Sequence, residues 1–248
     1  MDSRLTSERE FHNVAFATNA RDQVNKFYSV TKQSKRHYAE AIKRQVSGKR
    51  VLEYGCGPGS YSFSLAALGA EVVGIDISDT AIEQANQAAR NLNLNIGFQL
   101  MNAEKLTFPD KSFDLVCGSG ILHHLDLKQA AQEISRILAP DGKAIFYEPL
   151  GHNIFINAYR HFTPHLRTPD EHPLVWSDFK VFHEFFADVN ISFFNLTSLL
   201  AFPFRNFKSF DKILSAMNRL DRMLYRALPI LKRYSWITII TLKTPRRR

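Results

Sequence analysis

The sequence predicts an α/β protein built on a doubly wound parallel sheet. Three observations predict it. Short apolar strands alternate with helical segments between residues 50 and 148. The first of these strands runs directly into a glycine turn, Gly55-Cys56-Gly57-Pro58-Gly59, and the second ends in an acid, Asp76. Strands that alternate with helices at this spacing make a parallel sheet covered by helices on both faces.

Taken in order, residues 1–20 are polar and read as an irregular, flexible N-terminus. Val24, Phe27, Tyr28, Tyr38, Ile42 and Val46 recur at helical spacing, predicting a helix over 22–46 with Gly48 as its C-cap. Residues 50–54 form a buried strand, and a helix follows the glycine turn from near Ser60 to Gly69. Residues 71–76 form the second strand. Ser78 or Asp79 then caps a helix reaching Leu92, with Ala81, Ile82, Ala85 and Ala89 as its apolar stripe. Strands over 96–101 and 113–117, a helix over 127–138, a turn at Pro140-Asp141-Gly142 and a strand over 143–148 continue the alternation.

Beyond Glu148 the pattern changes. Residues 149–176 hold four of the nine histidines and four of the ten prolines without a clean period, which reads as an insertion over the sheet edge. Helix returns over 177–186. Residues 189–196 and 235–242 suit two final strands. Between these strands Phe207, Phe210, Leu214, Met217, Leu220, Leu224 and Leu228 step by three or four, as one helix ended by Pro229.

Apolar residues make up 45% and charged residues 23%, the balance of a globular protein able to bury a full core. No apolar run is long enough for a membrane span, and the stretch MDSRLTSERE has no secretory signal character. Cys56 and Cys117 lie far apart, which supports neither a disulfide framework nor a zinc site. A cytoplasmic location is the resulting expectation. The net charge of +8 is uneven: residues 200–248 carry 12 Lys/Arg against 2 Asp/Glu, and the rest of the chain is slightly acidic. The basic residues Lys208, Lys212, Arg219, Arg222 and Arg226 form a solvated helix face, with a peripheral contact to an anionic membrane as the open alternative.

The chemistry concentrates in three features. In Glu53-x-Gly55-x-Gly57-x-Gly59 the glycines let backbone approach a ligand that a Cβ would obstruct. Asp76, 21 residues beyond Gly55, can accept two hydrogen bonds from a ribose diol. Asn102-Ala103-Glu104 follows the third strand, where side-chain and backbone groups can meet an adenine edge. A dinucleotide fits the first two features, but Glu53 ahead of the loop would repel its pyrophosphate. S-adenosylmethionine (SAM) carries an ammonium and a sulfonium instead, and an acid there suits it.

The runs V-L-E-Y-G-C-G-P-G, G-I-D-I-S, N-A-E, F-D-L-V and L-H-H-L together resemble the successive motifs of the class I SAM-dependent methyltransferases, small-molecule type, over residues 25–150. The resemblance implies a Rossmann-like sheet of seven strands ending in an antiparallel hairpin, within a single domain spanning 1–248. Residues 149–176 and 199–233 would then be insertions forming a lid over the acceptor. The resemblance also implies site roles. Glu53, Gly55, Cys56 and Gly57 would line the methionine end of SAM, and Asp76 and Ile77 the ribose and adenine. Asn102, Ala103 and Glu104 would meet the adenine edge, with Cys117 or Gly118 beside the sulfonium. Where this chain has Asn102 the family more often has Asp. Tyr28 and Tyr38 could cap the cofactor, with core packing as the alternative.

Ligands of open α/β sheets bind beyond the carboxyl ends of the strands, which places His123, His124, Glu148 and His152 near the acceptor, with His123, Glu148 and His152 as the candidate catalytic groups. Methyl transfer rests on proximity and orientation, and a base is needed only where the nucleophile must lose a proton. The expected product is S-adenosylhomocysteine, and the expected acceptor is an O or N atom of a small, partly apolar metabolite. No metal ligand set is assigned. His161, His165 and His172 lie close enough in sequence to suggest a ligand group, but Pro164 argues against a helix presenting the first two together. Two rival functions fit parts of the pattern. An RNA methyltransferase would use Cys117 as nucleophile, but Val116 stands where proline is usual and no basic RNA surface is visible, so nucleic acid is not an expected partner. The other is a non-catalytic partner protein that only binds SAM.

Overall fold

The computed structural model describes residues 3–18, 27–163 and 171–246. Its centre is a seven-stranded sheet in the order β3-β2-β1-β4-β5-β7-β6. The strands are β1 (Arg50–Tyr54), β2 (Glu71–Asp76), β3 (Ile96–Leu100), β4 (Phe113–Ser119), β5 (Leu138–Pro149), β6 (Phe186–Phe194) and β7 (Ile237–Pro245). β1 to β5 pair in parallel, and β7 runs antiparallel between β5 and β6. The strand order reverses between β1 and β4. At such a point the connections leave toward opposite faces and open a crevice at the carboxyl ends of the strands.

The central strands form because both of their faces are covered. Four of the five residues of β1 and the Val116–Cys117 segment of β4 are buried. Helix α4 (Asp79–Asn91) starts where Ser78 Oγ accepts from Ala81 N, and it buries Ala81, Ala85 and Ala89. In α5 (Leu127–Ile137), Asp126 accepts from Lys128 N and Gln129 N while Ala130, Ala131, Ile134 and Ile137 go inward. Helix α3 (Ser62–Ala66) is short, and α7 (Phe179–Phe185) packs Phe179, Phe182 and Phe185 into the core. The expected turn at residues 140–142 lies within β5, where the pairing with β4 jumps from Leu138 to Lys143.

Four expectations are corrected. The N-terminus expected to be irregular and flexible is helical: α1 spans Ser3–Ala17. Its inward residues include Glu8, so an apolar period could not announce it. The second helix ends earlier than its apolar period. A 3-10 turn (Phe27–Thr31) leads into α2 (Lys32–Lys43), and Gly48 lies beyond, in a turn where its N–H donates to Gly69 O. The stretch 22–26 is outside the described residues.

The insertion after β5 is not wholly irregular. Asn153 Oδ1 accepts from Ile156 N and opens α6 (Ile154–Phe162). Last, α8 (Phe210–Ala227) buries only part of the expected stripe and adds polar residues to it. Phe210, Leu214, Asn218 and Asp221 are buried, while Leu220 and the neighbouring Phe207 and Leu228 are exposed. Asp221 sets that face by accepting from Leu196 N, Thr197 N and Thr197 Oγ1, so a buried carboxylate is satisfied where an apolar residue was expected. Among the described residues no helix is long and apolar enough to cross a membrane.

Candidate active site

A cleft opens at the carboxyl ends of β1 to β4, where the sheet order reverses. The loop after β1 forms one wall. Gly55 (φ +68°) and Gly57 (φ +53°) adopt the left-handed backbone conformation. A Cβ on Gly55 would come within 2.7 Å of Ile121 Cδ1, on the opposite wall, so glycine is required there for space as well as for φ. Cys56 N donates to Ile75 O and ties the loop to the end of β2. The Cys56 side chain is buried behind the loop and does not line the cleft.

Asp76, at the tip of β2, holds the next stretch of wall. Its Oδ2 accepts from Gly57 N (2.8 Å) and its Oδ1 from Ser78 N (2.9 Å). A carboxylate offers about four acceptor positions. Two remain on this half-buried side chain for hydroxyls within the cleft. Ile77, Met101, Asn102, Ala103 and Leu125 continue the lining. Asn102 Oδ1 accepts from Glu104 N and shapes the turn. Glu104 itself is turned away and does not line the cleft. Its carboxylate pairs with Arg4 at 2.6 Å and accepts from Asp126 N.

The cover of the cleft is α1, which sequence reasoning missed. Leu5, Glu8, His12 and Phe16 line the cleft from above. The spacing of three, four and four was present in the sequence, but two of the four side chains are polar. Three anchors hold the helix down. Arg4 bridges Glu104 and the His124 carbonyl, Arg9 pairs with Asp79 at 2.7 Å, and Asn13 Oδ1 accepts from Ser78 Oγ. Tyr28 and Tyr38 do not cap the cleft. Tyr38 is fully buried with its hydroxyl on Gly118 O, and Tyr28 packs on Trp236.

Glu53 does not face the cleft. Fully buried, it accepts from Tyr61 N (2.9 Å), Ser62 N (2.7 Å) and Ser62 Oγ, and so fixes the far end of the glycine loop. Burial raises its pKa from 4.5 to about 7, against the lowering by these donors. Because the folded state binds this proton more tightly, its contribution is complete below pH 4.5 and is lost as pH rises through about 7. That span corresponds to about 3 kcal/mol. We expect urea unfolding to show wild type losing about that much more stability than Glu53→Gln between pH 5 and pH 8. Parallel pH profiles would refute the assignment.

His123 and Glu148 are brought together. The Glu148 side chain is fully buried at the end of β5; its Oε1 accepts from Ile121 N and Leu122 N, and its Oε2 lies 2.7 Å from His123 Nδ1. Glu148 must accept, so His123 carries its proton on Nδ1 and Nε2 is left as an acceptor. Nε2 stands 4.0 Å from Glu171 Oε1, and Arg160 Nη1 of α6 holds that carboxylate at 2.7 Å. The segment bearing Glu171 is carried alongside β5 by reciprocal Gly151–Leu174 and Leu174–Pro149 backbone bonds, with His172 N donating to His123 O.

His123 sits just behind the cleft wall, and its neighbour His124 lines it. The two residues share one 3-10 turn, where successive side chains point in different directions. His152 is not joined to the pair; its Nε2 accepts from Trp176 N. Cys117 and Gly118 also lie off the cleft. Cys117 is fully buried and burial pushes its thiol well up, which removes the thiolate a nucleophilic cysteine requires. A Cβ on Gly118 would meet Tyr54 O at 2.8 Å. His161 is exposed on α6, and His165 lies outside the described residues.

Residues 52–146 match the family model described as a methyltransferase domain. Over 108 residues the chain is 35% identical to a ubiquinone biosynthesis O-methyltransferase of Coxiella burnetii, covering 42% of this chain and 46% of that protein. Over 117 residues it is 35% identical to a demethylmenaquinone methyltransferase of Chlorobaculum parvum, covering 45% and 47%. The chain thus spans about half the length of the curated relatives it matches. Among solved structures, a Haemonchus contortus phosphoethanolamine N-methyltransferase in complex with S-adenosyl-L-methionine aligns with TM-score 0.65 and 15% identity over 95% of this chain and 60% of that one. That likeness is one of fold.

Proposed function

We propose that this chain, which carries a class I SAM-dependent methyltransferase domain, moves a methyl group to an oxygen or nitrogen atom of a small, partly apolar metabolite. One observation carries the reading of the cofactor. The glycine-lined cleft presents the acids Glu8 and Asp76 and, among its described lining residues, no Lys or Arg. These acids would repel a pyrophosphate, with no cation in the lining to offset them, whereas they favour a sulfonium and an ammonium. SAM supplies a methyl group on sulfonium, ready for in-line displacement.

The chain's own residues bind, orient and exclude water. Asp76 takes the ribose diol, and Ile77, Met101 and Leu125 offer apolar faces to an adenine. Helix α1 covers the site. Glu148 holds His123 in the tautomer whose Nε2, turned toward Glu171 and α6 rather than into the cofactor cleft, can accept a proton from a hydroxyl or an ammonium acceptor on that side. Support for a partly apolar acceptor comes from two sides: the quinone-pathway names of the relatives above, and the exposed Ile154, Phe155 and Phe162 on α6, the helix that also carries Arg160.

Calorimetry on the full chain should detect S-adenosylhomocysteine and SAM, with affinities in the micromolar range usual for such substrates. Labelled SAM with a panel of phenols, hydroxy acids and amines should then transfer label to one class. Absence of binding by either cofactor form would sink the reading.

A further inference from the structure

We propose that Glu8, His12 and His124 form a binding site for one divalent transition-metal ion, of the Zn²⁺, Co²⁺ or Mn²⁺ class, that pins α1 over the cleft. The inference goes beyond the methyl-transfer reading but shares Glu8 and the cleft with it, so metal and cofactor binding are measured separately. Glu8 and His12 are one turn apart on α1, and His124 comes from the turn after β4, far away in the chain. Glu8 Oε2 lies 3.3 Å from His12 Nε2 and 3.2 Å from His124 Nδ1. Donors bound tetrahedrally at about 2.0–2.1 Å stand roughly 3.3 Å from one another. The two separations match that edge without movement of the backbone.

A second observation points to a ligand. His124 Nδ1 is buried and has no hydrogen-bond partner, although a carboxylate oxygen lies 3.2 Å away. An orphaned buried ring nitrogen is costly, and a cation between the two atoms would satisfy it. Two imidazoles and one carboxylate suit a transition ion, whereas Ca²⁺ and Mg²⁺ prefer all-oxygen sets.

All three side chains line the cleft, so the remaining coordination position faces the same space. An anionic oxygen of a cleft ligand, or water, could fill it. The neighbouring group of His123, His124 and Glu171 is the weaker candidate. Glu148 engages His123 Nδ1, and His123 Nε2 is 4.0 Å from Glu171, well beyond a tetrahedral edge.

The test uses tag-free full chain stripped with a chelator, then titrated with Co²⁺ by visible absorbance and Zn²⁺ by calorimetry. The expected result is one equivalent bound with tetrahedral Co²⁺ bands. His12→Gln and Glu8→Gln should each weaken binding at least tenfold, while His161→Gln leaves it unchanged. Zn²⁺ should also protect α1 from limited proteolysis in wild type but not in His12→Gln. Circular dichroism checks that each variant is folded; because His12 sits on the covering helix, its substitution leaves the sheet intact. No stoichiometric binding by wild type, or equal affinity in His12→Gln and Glu8→Gln, overturns the proposal. Binding of S-adenosylhomocysteine by the metal-free chain is measured in parallel, so failure of this site and failure of the cofactor reading give different results.

Discussion

Asp76→Ala is expected to weaken S-adenosylhomocysteine binding by about a hundredfold, roughly 3 kcal/mol, the loss of charge-assisted hydrogen bonds within a half-buried site. Two effects combine. The carboxylate would hold the ribose diol, and it also holds the cleft itself together through Gly57 N and Ser78 N. Removing it leaves two amides to be solvated, so the urea midpoint should fall as well, by about 1–3 kcal/mol of stability. Asp76→Asn separates the two roles. Its single carbonyl can satisfy one amide, so much of the stability should return while the ribose contact stays impaired. Calorimetry on both variants gives the answer, and an affinity equal to wild type in both would mean that the ribose does not sit on Asp76.

The second large effect is expected for Glu148→Gln. Two amides, Ile121 N and Leu122 N, point at one oxygen of Glu148, so a glutamine there must direct its carbonyl to them. Its NH₂ is then forced toward His123 Nδ1, where it can only donate. The imidazole proton moves to Nε2, and the group that should accept the acceptor's proton becomes a donor. Transfer to an acceptor that must be deprotonated should slow by about 10²–10⁴-fold, with S-adenosylhomocysteine affinity nearly unchanged. His123→Ala should cost about as much, and the double variant little more than either. The tautomer can be read without any acceptor, because ¹⁵N shifts should place the proton on Nδ1 in wild type and on Nε2 in the variant. An unchanged tautomer, or a rate loss matched by an equal loss of cofactor affinity, would contradict the assignment.

The sheet was legible because its signals are local. β1, β2 and the start of β4 begin where the apolar runs begin, the Ser78 cap opens α4 as expected, and the glycine loop lies between β1 and α3. Harder to read were residues whose burial comes from function-like geometry rather than from a core. Glu8 and His12 are turned inward by a cleft, and Asp221 by three donors from the 196–197 segment. A hydrophobic period scores such positions as solvent-facing, so it predicts an irregular segment in place of α1 and omits Asn218 and Asp221 from the buried face of α8.

Roles assigned by motif divided in the same way. Gly55, Gly57, Asp76, Ile77, Asn102 and Ala103 do line the cleft, since backbone turns at strand ends place them there whatever the rest of the chain does. Glu53, Cys56, Glu104, Cys117 and Gly118 belong to the same motifs but face the layer behind. Their side chains, or for Gly118 its carbonyl, serve the loop, the core, Arg4 or Tyr38 instead.

By itself, then, the sequence determined the alternating sheet, the glycine loop and the acid at the tip of β2, because each depends on residues within a few positions of one another. Tertiary structure alone decided which helix covers the cleft and which histidine faces it. It also brought Glu171 to His123, from the segment that runs back along β5. Those outcomes depend on contacts between segments tens to more than a hundred residues apart, and no local period or motif encodes the direction in which such a side chain will point.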